Sequence, residues 1–99
     1  MVTVVAKLKV QPGKEQAFRQ EAEKMIGYVE ANEPGTQAYV LHQAAADPTE
    51  FMFYEIYADQ AALDAHGKSD GMKQFFGTVG GLLAGRPDIA FYQELAGKK

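Results

Sequence analysis

The run from Phe51 to Phe76, FMFYEIYADQAALDAHGKSDGMKQFF, decides how this chain folds. Phe51 to Tyr57 are aromatic, aliphatic or sulfur-bearing except for one acid, Glu55, a composition that suits a strand covered on both faces. Asp59 offers an N-cap oxygen, and Ala61-Ala62-Leu63 opens a helix behind it. His66 follows Leu63 by one helical turn and so shares its face. Gly67 closes this helix, and Ser69 or Asp70 caps another that carries Met72, Phe75 and Phe76. A strand with one carboxylate thus feeds a helix whose inward face bears an imidazole. That arrangement makes one wall of an apolar small-molecule site.

Upstream, Val2, Val4, Ala6, Leu8 and Val10 alternate with Thr3, Lys7 and Lys9, which predicts a strand with one buried side. Pro12-Gly13 turns the chain. From Lys14 to Asn32, the apolar set Phe18, Ala22, Met25, Ile26 and Val29 follows the helical period, with Glu15, Arg19, Gln20, Glu23, Lys24 and Glu30 on the solvated side. Glu33-Pro34-Gly35 ends that helix, because proline disfavours helical geometry in the residue before it. Thr36 to Ala44 reads as a second strand, with Tyr39 and Leu41 on one face and Ala38, Val40 and His42 on the other. The short turn Asp47-Pro48-Thr49 makes it an antiparallel partner of the Phe51–Tyr57 strand. Beyond Phe76, Gly77, Gly80, Gly81 and Gly85 read as a flexible turn, and Ile89 to Leu95 as a last strand.

The order strand, helix, strand, strand, helix pair, strand predicts one α+β domain over residues 1–99, a ferredoxin-like βαββαβ antiparallel sheet with its helices on one face. The other sheet face is too apolar for water, so a second copy packed sheet against sheet is expected. Dimerisation would also supply burial that 99 residues provide sparingly.

Composition narrows the function classes. A hydrophobic fraction of 46% and a charged fraction of 23% describe an ordinary globular chain. The net charge of −3, with no basic run before Lys98-Lys99, argues against a nucleic-acid surface. The absence of cysteine removes disulfides, thiolate metal sites and a cysteine nucleophile. The amino terminus is too short and too interrupted by lysine for a signal peptide or membrane span, and the expectation is a mature cytoplasmic chain. His42 and His66 are too few to argue a metal site, and Gly77-x-x-Gly80-Gly81 follows no strand, unlike a phosphate-binding loop.

In this layout, Glu33-Pro34-Gly35-Thr36 with Tyr39, then Phe51-x-x-Tyr54-Glu55-x-Tyr57, then Ala61-Ala62-Leu63-x-Ala65-His66 with Ser69, resembles the antibiotic biosynthesis monooxygenase family over essentially the whole chain. The resemblance implies a dimeric α/β-barrel with an apolar pocket between sheet and helices in each monomer. It implies oxygenation of a phenol or quinol by dioxygen, without metal, flavin or haem. Relatives of the same shape isomerise small phosphorylated ketones or degrade haem, so fold alone leaves the reaction open. The haem-degrading branch uses a pocket tryptophan, and this chain has none.

His66 is the first candidate, as an imidazole able to take a phenolic proton near neutral pH; its alternative role is to tie a helix end to a carbonyl. Glu55 is the second, an acid among aromatics whose pKa burial should raise, expected to orient His66 or share its proton; its alternative is a structural bond to a helix N-terminus, Arg86 or His66. Tyr39, Tyr54 and Tyr57 can donate to a substrate oxygen, or simply pack. Phe53, Met72, Phe75 and Phe76 are expected to form the apolar lining, shared with the core. Which set on the third strand faces the pocket, Glu55 with Phe53 and Tyr57 or Tyr54 with its neighbours, depends on a register that one sequence leaves open. An isomerase would want a cation for an anionic substrate (Arg86, Lys68 or Lys73), and a non-catalytic module would fill the pocket with its own side chains.

Overall fold

The computed structural model describes residues 1–99. Four strands and three α-helices follow one another as β1 (Val2–Lys9), α1 (Glu15–Asn32), β2 (Thr36–Gln43), β3 (Glu50–Tyr57), α2 (Gln60–Gly67), α3 (Asp70–Val79) and β4 (Asp88–Gln93). The sheet is antiparallel throughout, in the order β2-β3-β1-β4, the ferredoxin-like arrangement.

Alternation along the strands sends Val4, Ala6 and Leu8 of β1 and Phe51, Phe53, Glu55 and Tyr57 of β3 to the helical side, where all are buried. From α1, Phe18, Ala22, Met25 and Val29 meet them, and α3 adds Phe75 and Val79. Phe18 touches both layers, with its ring centroid 4.8 Å from Phe51 and 6.0 Å from Phe75. Gly13 takes φ +90°, a left-handed turn conformation that a side chain would oppose, and so reverses the chain from β1 into α1.

Three expectations are corrected here. Gly77 lies inside α3, and Gly80–Leu82 form a 3-10 turn, so the glycine run continues a helix where a flexible turn was expected. The last strand ends at Gln93, and Leu95 lies beyond it, because β4 pairs only as far as the start of β1. The Phe51–Tyr57 strand has only one face fully covered within the chain: on the outer face, Tyr54 is 37% exposed. Register lines Tyr54 up with Val40, Val5 and Ala90, an apolar row crossing all four strands away from the helices.

Candidate functional site

The same register builds the site on the helical face. Tyr39, Glu55, Val4 and Phe91 form one row across β2, β3, β1 and β4, and Leu41, Phe53, Ala6 and Ile89 form the next. Over these rows α2 and α3 leave a cavity of about 170 Å³, walled by Tyr39, Phe53, Glu55, His66, Phe75 and Phe76, with Met72 and Leu63 also lining it. Pro87, Ile89 and Phe91 border it on the β4 side. There Phe91 is 64% exposed, since no helix crosses that edge strand.

Helix α2 is held at both ends. Asp59 accepts from the Ala62 amide at 2.9 Å, capping its start. At its flank, Gly35 of the α1–β2 turn lies so close to Ala62 that a Cβ there would come within 2.7 Å of the alanine methyl. Ala62 and His66 are one turn apart on the same helix face, so the contact that seats Ala62 on Gly35 carries His66 toward Glu33. His66 Nδ1 lies 2.8 Å from Glu33 Oε1, with the two side chains 4% and 10% exposed. Thr36 Oγ1 donates to the same oxygen at 2.8 Å, while Glu33 Oε2 is buried with no partner. The imidazole also packs between two phenol rings, Tyr39 at 5.1 Å and Tyr57 at 5.3 Å.

Glu55 behaves differently. It is buried and accepts one hydrogen bond, from the Tyr57 hydroxyl at 2.6 Å. Burial is the main cause that pushes its pKa up to about 7; the Glu33 charge adds to the rise and the Tyr57 bond opposes it. Near neutrality this acid is poised between its protonated and ionised forms. Burial, helped by the same carboxylates, raises the phenols of Tyr39 and Tyr57, so both remain protonated donors.

Of the residues the sequence singles out, Glu55, His66, Tyr39, Phe53, Met72, Phe75 and Phe76 meet at this one cavity. Two do not. Tyr54 projects from the opposite sheet face, because strand alternation separates it from Phe53 and Glu55. Tyr57 is fully buried and does not line the cavity; it reaches the site through its bond to Glu55 and its ring contact with His66. The expected link between Glu55 and His66 is also corrected: the acid bonded to the imidazole is Glu33. In the sequence, Glu33 reads as a helix breaker's neighbour, and nothing local joins it to a histidine 33 residues away. The basic candidates Arg86, Lys68 and Lys73 are not among the lining residues, and the hollow is not filled by the protein's own side chains. His42 lies on the exposed outer side, with Nδ1 3.2 Å from the Val40 carbonyl. Nowhere do three His, Cys, Asp or Glu side chains converge, and no helix is long and apolar enough to cross a membrane.

Comparison with known proteins finds this fold elsewhere. The model of the family described as antibiotic biosynthesis monooxygenase matches residues 1–78. "Putative monooxygenase YcnE" of Bacillus subtilis is 27% identical over 89 residues, 90% of this chain and 93% of that protein. An uncharacterized protein of Synechocystis, sll1783, is 27% identical over 92 residues, but the chain spans only 62% of its length. Among solved structures, a "putative antibiotic biosynthesis monooxygenase" from Caulobacter crescentus superposes with a TM-score of 0.92 at 34% identity, covering 96% of this chain and 90% of that one. A conserved protein from Methanosarcina mazei gives 0.88 at 29% identity, covering 95% and 92%.

Proposed function

This chain belongs to the antibiotic biosynthesis monooxygenase family, and from that premise we propose that it is a cofactor-independent monooxygenase of a small phenol or quinol, with His66 as base. The observation that carries the reading is an unfilled apolar cavity into which one imidazole and one carboxyl group are set. Its volume of about 170 Å³ is close to that of an apolar cavity of about 150 Å³ that accommodates benzene. A single substituted ring therefore suits it. Glu55 and His66 are the only titratable groups in the lining besides Tyr39, and neither lysine nor arginine joins them, which favours a neutral substrate that donates hydrogen bonds over a phosphorylated one.

His66 takes the proton of the substrate hydroxyl, leaving an electron-rich phenolate between aromatic rings. Dioxygen accepts electrons from that ring and bonds to a ring carbon as a peroxide, and the proton held by His66 passes to it. The carbon then loses its hydrogen to the base as the O–O bond breaks. A carbonyl remains, and the departing hydroxide takes up that proton as water. One dioxygen thus becomes one carbonyl oxygen and one water, and the substrate supplies all four electrons. Protonated Glu55 donates to the developing carbonyl or peroxide oxygen, the task its raised pKa suits. The dry walls keep the peroxide from water.

Oxygen uptake by chelator-treated protein with methyl- and methoxy-hydroquinones tests this. Uptake well above the background autoxidation rate is expected, with His66→Ala slower by roughly 10²- to 10⁴-fold. No uptake by wild type, or equal uptake by His66→Ala, would sink the reading. Turnover of a small ketone under strict anaerobiosis would favour proton transfer alone.

A further inference from the structure

We infer that Glu33 is the positioning residue of the base: it holds a proton on His66 Nδ1, so that Nε2 is the nitrogen that takes the substrate's proton, and it stabilises the resulting imidazolium. The inference rests on the reading of His66 as base, but its evidence is separate. A carboxylate accepts and an imidazole nitrogen can do either, so the 2.8 Å contact between Glu33 Oε1 and His66 Nδ1 assigns the donor proton to Nδ1. The neutral ring then has its lone pair on Nε2, on a residue that lines the cavity.

The carboxylate is itself fixed. Thr36 Oγ1 donates to Oε1 at 2.8 Å from one helical turn's distance in sequence, and Pro34-Gly35 between them shapes the turn. The other oxygen, Oε2, is buried with no donor at all. A carboxylate so short of donors recovers electrostatic stabilisation when its one ring partner becomes charged. The pair therefore favours the state that exists after the substrate has given up its proton. A staple between turn and helix would need neither the missing donor nor a histidine that opens onto a cavity.

Nitrogen-15 spectra of the imidazoles test this without any substrate. They are recorded from about pH 5 to about pH 9, and His66 is assigned by the signal lost in His66→Gln. Wild type should show the neutral ring as the Nδ1–H form. In Glu33→Gln the amide oxygen can still accept, so that form should persist, whereas in Glu33→Ala the two tautomers should mix. In the oxygen-uptake assay, Glu33→Gln should lower kcat about tenfold and Glu33→Ala roughly 10²-fold, both with KM nearly unchanged. An Nε2–H ring in folded wild type would overturn the inference whatever the activity. So would full kcat in both Glu33 variants while His66→Ala is inactive, an outcome that leaves the monooxygenase reading standing. If no quinol gives uptake that depends on His66, that reading falls, and the tautomer alone still decides whether Glu33 sets the proton's place.

Discussion

Glu55, buried, and Glu33, largely shielded, show how two acids in one fold take opposite parts. Glu33 has an imidazole and a hydroxyl on one oxygen; Glu55 has a single phenol, and burial lifts it to about 7. That shift has a consequence for stability. Below pH ~4.5 the acid is protonated whether the chain is folded or not, so it contributes no difference. Between there and about pH 7 the unfolded chain loses the proton while the folded one keeps it, and stability falls by up to about 3 kcal/mol. Glu55→Gln preserves an acceptor for Tyr57 and removes the titration. Thermal melts should nearly coincide with wild type at pH ~4.5 and lie roughly 10 °C or more higher at pH ~8; equal melting across the range would refute the buried-acid account. Both His66 and Glu55 could be found from sequence, since helical spacing and a lone acid among aromatics mark them locally. Glu33 could not. Its role arises only when packing brings the α1–β2 turn against α2.

At the scale of elements, that turn sets where α2 lies. Gly35 admits Ala62 because it lacks a Cβ, so Gly35→Val should push α2 outward, cost about 1–3 kcal/mol by overpacking, and weaken the Glu33–His66 bond. Gly27 on α1 offers the contrast, with open space around the missing side chain. Gly27→Ala should raise stability by about 0.5–1 kcal/mol, since only helix propensity changes. Urea melts of both variants measure the difference; comparable effects would mean that the turn contact does not constrain the helix. The helical period of α1, the Asp59 cap and the βαββαβ order were readable as local patterns, and of the two cap candidates Ser69 and Asp70 it is the Ser69 hydroxyl that accepts, from the Met72 amide. The face of β3 that looks inward was not. Tyr54 and Glu55 differ by one residue, and only pairing with Val5 and Val4 on β1 decides between them. The reach of α3 through Gly77 was likewise hidden, because glycine signals a turn by propensity while packing of Phe75 and Val79 continues the helix.

For the molecule as a whole, the outer sheet face has a chemistry that calls for a partner. The row Val40, Tyr54, Val5 and Ala90 is apolar from edge to edge, and we propose that a second copy covers it. Sedimentation should show wild type as a dimer and Tyr54→Lys shifted toward monomer, with the far-ultraviolet spectrum unchanged; a monomeric wild type at all concentrations would end that proposal. Burying a lysine in a sheet-to-sheet seam is far costlier than leaving it in water. The candidate site lies on the other side of the sheet, so such a variant separates assembly from the groups proposed to react.

The uncovered inner side of β4 carries a further meaning. Phe91 shares a row with Glu55 and Tyr39, yet it stands mostly in solvent at the rim. The strand that forms this threshold supplies none of the proton-handling side chains. Exchange of Ile89 or Phe91 for smaller residues should therefore widen the range of rings admitted without disturbing the imidazole and acid beyond them.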